Sequence, residues 1–208
     1  MEKIIDKNSS IIEKNERLIA NILHDVKSPL YSIKIGLATH LDNELNQDIY
    51  ETTLSTINYI EDFLISYNFK NGKFENNIAV CDIKEIICEK TKCCKYILMN
   101  KNIQIDVICD KSEYKLNSIK PFISSIIGNL VSNIAFHGKE NENAIIKIYK
   151  MDSEICIDFQ NKYSSNNSNF SLGLNFCNIL ADYLNVKIDF FKTSSEVKVS
   201  VKIPNINC

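Results

Sequence analysis

The chain has 208 residues, 45% hydrophobic and 24% charged, with a formal net charge of −2. That size and balance suit one large or two small folded domains with cores of their own, and exclude a disordered or low-complexity chain. Arg17 is its only arginine, and bidentate reading of phosphates or guanine needs guanidinium forks, so no nucleic acid is expected as a partner.

The first predicted element is a helix. Ile19, Ile22, Val26, Leu30, Ile33 and Leu37 recur in it at spacings of three and four, the mark of one buried face. Within it stands His24-Asp25-Val26-Lys27-Ser28-Pro29-Leu30. At roughly 100° per residue His24 lies about 200° from Ile22, so its ring is expected to face solvent. Ser28 falls one turn on, along the same face as His24. An exposed imidazole beside a carboxylate and a hydroxyl suits chemistry on a phosphoryl group better than it suits packing. A polar turn at Asp42-Asn43-Glu44 leads to a second helix with Ile49, Thr53, Ile57, Ile60, Leu64 and Tyr67 on one face, ending near Asn68. Two helices cannot bury both apolar stripes alone, so a homodimer completing a four-helix bundle is expected.

The stretch 68–77 is polar, contains Gly72 and reads as a linker, giving a first domain over 1–70 and a second over 78–208. Asp82 is the expected N-cap of a helix reaching about Met99. Alternation in Ile103-Gln104-Ile105-Asp106-Val107 predicts a strand, and Pro121 opens a helix continuing to Phe136. The strands Ala144–Lys150 and Glu154–Gln160 read as a hairpin. A helix from about Leu174 to Leu184 precedes a last strand pair, Val186–Lys192 and Glu196–Ile203. The fold class is therefore α+β: a helical hairpin, then an α/β sandwich of mostly antiparallel strands with its sheet covered on one face.

The eight cysteines, Cys81, Cys88, Cys93, Cys94, Cys109, Cys156, Cys177 and Cys208, form no Cys-x-x-Cys pair and have no histidine cluster beside them. Most alternate with Ile or Val, so they are read as reduced core thiols and not as a zinc site. No apolar run approaches the ~18 residues of a membrane span, and no cleavable leader is visible at Met1-Glu2-Lys3. No membrane association and a cytoplasmic location are expected.

The heptapeptide at His24 resembles the phosphoacceptor box of two-component histidine kinases. The order of elements beyond the linker is similar to the ATP-binding domain that follows the helical hairpin in that family. The resemblance implies that His24 accepts phosphate and that Asp25 assists as general base. It implies that Ser28 positions a water for hydrolysis of the aspartyl phosphate on a response regulator's receiver domain. It also brings the helix carrying Asn129 and Asn133, one turn apart, into correspondence with the family's N box, where the position of Asn133 coordinates magnesium. Asn161 falls at the family's adenine-binding aspartate, and Tyr163 where the following glycine would stand. A second glycine motif survives only as Ser171-Leu172-Gly173-Leu174, and Lys162 to Phe170 is short for a mobile lid.

The five glycines are Gly36, Gly72, Gly128, Gly138 and Gly173, no two of them separated by a single residue, so no Gly-x-Gly phosphate loop exists. A tyrosine where backbone must approach a purine also opposes adenine binding. ATP and magnesium are thus expected to bind weakly or not at all, with Asn133 the metal ligand only if ATP binds. The expected activity is that of a phosphatase of a phosphorylated response regulator, with little autokinase activity. A histidine phosphotransferase relaying phosphate through His24, an autophosphorylating kinase and a non-enzymatic adaptor that sequesters the regulator follow in that order.

Overall fold

Two helices, α1 (Glu2–Ala38) and α2 (Glu44–Lys70), make up the N-terminal part of the chain. The computed structural model describes residues 2–38, 44–72, 78–110, 113–163 and 171–204, and the chain divides into two compact units, 1–75 and 76–208. The expected turn at Asp42-Asn43 and half of the expected linker, 73–77, lie outside the described residues, while α2 itself runs to Lys70, past the expected end near Asn68.

The pairing of α1 with α2 corrects one expectation. Ile19, Ile22, Val26 and Ile33 remain 45%, 51%, 40% and 47% exposed in the single chain, and Leu30 and Leu37 are half-buried. The side of α1 turned inward carries Ala20, fully buried, with Leu23, Lys27, Tyr31 and Lys34 half-buried. Against it α2 buries Tyr50, Thr53, Leu54, Ile57 and Ile60, while Ile49 stays exposed. Periodicity finds an apolar stripe but not the surface that covers it: α1 has more apolar surface than one neighbouring helix can take up.

The second unit opens with a strand, β1 (Ile78–Asp82), that runs straight into α3 (Ile83–Cys93). Asp82 is the N-cap, its carboxylate accepting from the backbone N–H groups of Lys84 at 3.0 Å and Glu85 at 3.1 Å. The helix expected to reach Met99 breaks at Cys94 and resumes as α4 (Lys95–Asn100). Then come β2 (Ile105–Cys109), β3 (Lys115–Ile119) and α5 (Lys120–His137), followed by β4 (Ala144–Met151) and β5 (Glu154–Lys162). Last are α6 (Ser171–Leu184), β6 (Lys187–Lys192) and β7 (Glu196–Pro204).

The main sheet has five strands in the order β2-β4-β5-β7-β6, and β1 and β3 form a separate antiparallel ribbon. Its pairings are antiparallel except for β2 with β4, which run parallel with Ile105 opposite Ala144. That parallel pair is made by the α5 crossover, since parallel neighbours need a long connection. One row of alternating residues, with Ile146, Ile148, Ile157, Phe159, Val199 and Val201, is buried beneath the helices, whereas Lys147, Asp158, Lys198 and Ser200 point the other way and are partly or fully exposed. The core centres on α5, which buries Phe122, Ile123, Ile126, Ile127, Leu130 and Ile134 at 2% exposure or less and is apolar nearly all round.

Two asparagines in the left-handed region, Asn102 (φ 49°) and Asn141 (φ 60°), turn the chain into β2 and β4, and they bond to each other at 3.0 Å. A short polar side chain tolerates that conformation where most residues would be strained. Among the described cysteines all are free thiols. Cys81, Cys94, Cys156 and Cys177 are buried as expected, but Cys88 and Cys93 are exposed on α3.

Candidate functional site

The turn that carries His24 is unusual in its local chemistry. Pro29, inside α1, has no N–H, so the carbonyl of Asp25 loses the helical bond it would otherwise accept. His24 and Asp25 are 80% and 85% exposed, with Nδ1 of the ring 3.5 Å from an Asp25 carboxylate oxygen. Ser28 is exposed one turn on, its carbonyl accepting from the Ser32 hydroxyl at 3.3 Å. His24, Asp25 and Ser28 thus stand on one accessible stretch of α1, on the other flank of its α2-facing row from the exposed Ile22 and Val26. A solvent-facing imidazole nitrogen can accept a phosphoryl group, and the adjacent carboxylate and hydroxyl can orient a proton or a water.

One group near this turn is not singled out by the sequence. Glu61 of α2 directs a single oxygen, Oε1, at two donors of α1: the Lys27 ammonium at 2.8 Å and the Tyr31 hydroxyl at 2.9 Å. Lys27 also lies 5.6 Å from the centroid of the Tyr31 ring, and Lys34 5.7 Å from it. The signal in the sequence was the register of Lys27 and Tyr31, four residues apart, but nothing local pointed to the partner helix.

In the second unit the residues matched to the nucleotide motifs lie on α5, at the end of β5 and at the start of α6. Asn129 is half-buried, and its amide donates back to the Ser125 carbonyl at 3.1 Å, with the Ser125 hydroxyl at 3.5 Å. Asn133, one turn on, is half-buried as well. Asn161, near the end of β5, is buried and donates to the Lys162 carbonyl at 2.9 Å, a bond that does not use the amide's acceptor oxygen. The ends of α5 and β5 meet: Gly138 bridges Tyr163, and the Lys139 N–H donates to the Lys162 carbonyl at 2.9 Å. Gly173 belongs to the first turn of α6, which starts at Ser171, three residues earlier than expected. The segment 164–170, matched to the lid, lies outside the described residues.

Tyr163 is held firmly where the family pattern calls for glycine. Its hydroxyl donates to the Thr193 carbonyl at 2.8 Å, and the Lys192 ammonium sits 4.6 Å from its ring centroid. Nearby, Glu142 pairs with Lys162 at 2.9 Å and Lys139 at 3.6 Å, and the Lys162 bond above all holds its carboxyl below the usual carboxylate range. His137, at the last turn of α5, is half-buried, and burial together with the Lys101 ammonium pushes its imidazole below the ordinary value of 6.5. Lys101 itself donates to the Phe136 carbonyl at 2.6 Å.

No family model matches the chain. Over 172 residues it is 27% identical to the sensor protein KdpD of Clostridium acetobutylicum, an alignment covering 76% of this chain and 19% of that protein. The histidine kinase AdeS of Acinetobacter baumannii superposes with a TM-score of 0.61 at 14% identity, covering 88% of this chain and 98% of that one. In fold the chain is similar to histidine kinases, and in sequence to a sensor protein. The catalytic domain of histidine kinase ThkA also matches, with a TM-score of 0.56 at 19% identity over 62% of this chain and 95% of that one. The chain spans about a fifth of the length of the curated relatives it matches, 19% of KdpD and 23% of a Pseudomonas aeruginosa bacteriophytochrome. Among the described residues no helix is long and apolar enough to cross a membrane.

Proposed function

We propose that the protein is a two-component signalling protein that acts on the receiver aspartate of a response regulator, chiefly as a phosphatase. The observation that carries this reading is the exposure of His24 and Asp25 at 80% and 85% on a helix whose other flank is apolar. A partner's acyl phosphate can reach such a turn from solvent. Asp25 and Ser28 then hold a water in line with the phosphorus, and His24 assists without carrying phosphate. The exposed row Ile19, Ile22, Val26 and Ile33 supports a second copy of the chain as its cover, giving the homodimeric four-helix bundle.

The residues present fit an ATP–magnesium group poorly. Tyr163 occupies a position that needs glycine and is fixed to Thr193, and no paired glycines supply backbone N–H groups to phosphate. The asparagines of α5 and the amide of Asn161 do not replace that missing phosphate cradle, so strong autokinase activity is not part of this reading. Relay is the second reading: a hydroxyl as short as that of Ser28 holds water less far from the backbone than a longer amide would, and it leaves the exposed His24 ring open to a phosphoryl group.

The test follows the aspartyl phosphate of a receiver domain charged with acetyl phosphate, with and without the protein. Faster decay is expected, slowed by Ser28→Ala. Label retained on His24 would favour relay, and an unchanged decay together with an unlabelled His24 would leave only sequestration. A parallel incubation with labelled ATP and magnesium is expected to leave His24 unlabelled.

A further inference from the structure

The bonds of Glu61 converge on both sides of the one residue in this turn that cannot bond to the helix. Lys27 precedes Pro29 by two positions and Tyr31 follows it by two, and both donate to the same carboxylate oxygen, at 2.8 and 2.9 Å. At Pro29 the α1 backbone loses a hydrogen bond and gains a steric bulk, so this is where the helix bends most easily. A bend there would swing His24 and Ser28 relative to α2. Lys27 and Glu61 are 30% and 29% exposed, so the pair is partly shielded from water, and the Tyr31 ring lies beside it.

We infer that Glu61 is a positioning residue, a carboxylate clamp across Pro29 that sets the angle at which α1 presents His24 to a macromolecule docked over both helices. Glu61 touches neither the imidazole nor the phosphoryl group. It acts through Lys27 and Tyr31, by fixing the backbone between them. A small phosphodonor that meets only the imidazole has no use for that angle. A protein partner whose reacting carboxylate is rigidly held needs it, since displacements of about 1 Å cost up to a hundredfold in rate. The inference rests on the second reading above, relay, in which His24 carries the phosphoryl group.

The test separates the two ideas. The protein is loaded with potassium phosphoramidate, whose P–N bond breaks with release of ammonia as a new P–N bond forms to the imidazole. The loaded chain is then mixed with an isolated receiver domain, chosen as the one that takes the label most rapidly from the unsubstituted protein. The receiver's aspartate oxygen attacks phosphorus, and the imidazole leaves. Glu61→Ala is expected to lower kcat for this transfer about tenfold with KM held. Tyr31→Phe, which removes only the hydroxyl and keeps the ring, is expected to give a smaller loss in the same direction. The exchange Lys27→Glu with Glu61→Lys is expected to restore kcat to within about threefold. A general loosening of the hairpin would instead lower the melting temperature and raise KM. Transfer from Glu61→Ala at the unsubstituted rate, or a loss that the exchange leaves in place, overturns the clamp while His24 chemistry stands. No label on His24 of the unsubstituted protein overturns the clamp and the relay reading together, and leaves the phosphatase reading standing.

Discussion

The exposed row of α1 makes a quantitative prediction about assembly. Ile22 is 51% exposed in the single chain. Completing the burial of half an isoleucine stabilises by about 1 kcal/mol, and two-fold symmetry presents the residue twice, giving about 2 kcal/mol per dimer. Ile22→Ala should then raise the dimer Kd by roughly thirtyfold. Ile22→Glu adds the cost of placing two carboxylates in an apolar seam, a few kcal/mol more, so its Kd should rise by about a thousandfold or more. Sedimentation equilibrium over a concentration series measures both values, and far-UV circular dichroism checks that the helices persist, because the α2-facing residues are untouched. Ile35, 67% exposed on a different face, serves as the control: Ile35→Glu should leave Kd within about threefold of the unsubstituted value. The reasoning is refuted if Ile22→Glu associates as tightly as the unsubstituted chain, or if that chain is monomeric throughout.

Three further substitutions test the second unit. Asp82→Ala removes the oxygen that caps Lys84 and Glu85 and should cost about 1 kcal/mol, read as a lower urea midpoint. At Gly138 a Cβ would collide with the carbonyl oxygen of Ile134 and come within 2.9 Å of Ile103 Cδ1, so Gly138→Ala should destabilise by about 1–3 kcal/mol. His137 has a folded pKa below 6.5, so as pH falls through 6.5 the unfolded chain takes up a proton that the native state does not. The neutral imidazole therefore costs stability progressively from pH 6.5 down to its lowered folded value, and stability rises with pH across that window. Urea unfolding at a series of pH values should show that part of the slope missing in His137→Gln.

Most of the element order was legible because the punctuation was local. Asp82 caps where an N-cap was expected, Pro121 lies in the first turn of α5, and the β4–β5 and β6–β7 hairpins follow from alternation on either side of short polar turns. The ribbon of β1 and β3 was missed because its strands have five residues each and pair across more than thirty intervening positions, a distance no local pattern reports. The parallel pairing of β2 with β4 was missed for the same reason. At the candidate site His24 is exposed as expected, although Ile22, the residue it was angled from, is exposed in the single chain as well. Which neighbour each apolar stripe serves was not legible, because a single-helix pattern is the same whether α2 or a second copy covers it. Glu61 was invisible because its meaning depends on the register between two helices, set by packing at Leu54, Ile57 and Ile60.

The arrangement of the five-stranded sheet also bears on how the second unit comes together. Among the described residues β2 sits on the rim with one hydrogen-bonded neighbour, β4, reached only by way of the eighteen-residue α5. The pairs β4–β5 and β6–β7 close over turns of a few residues and lose little chain entropy in doing so. Assembly therefore falls into a prompt half, the hairpins β4–β5 and β6–β7, and a half that waits until α5 has docked. The rim strand should then be the first to exchange its amide protons in heavy water and the last to regain protection after dilution from denaturant.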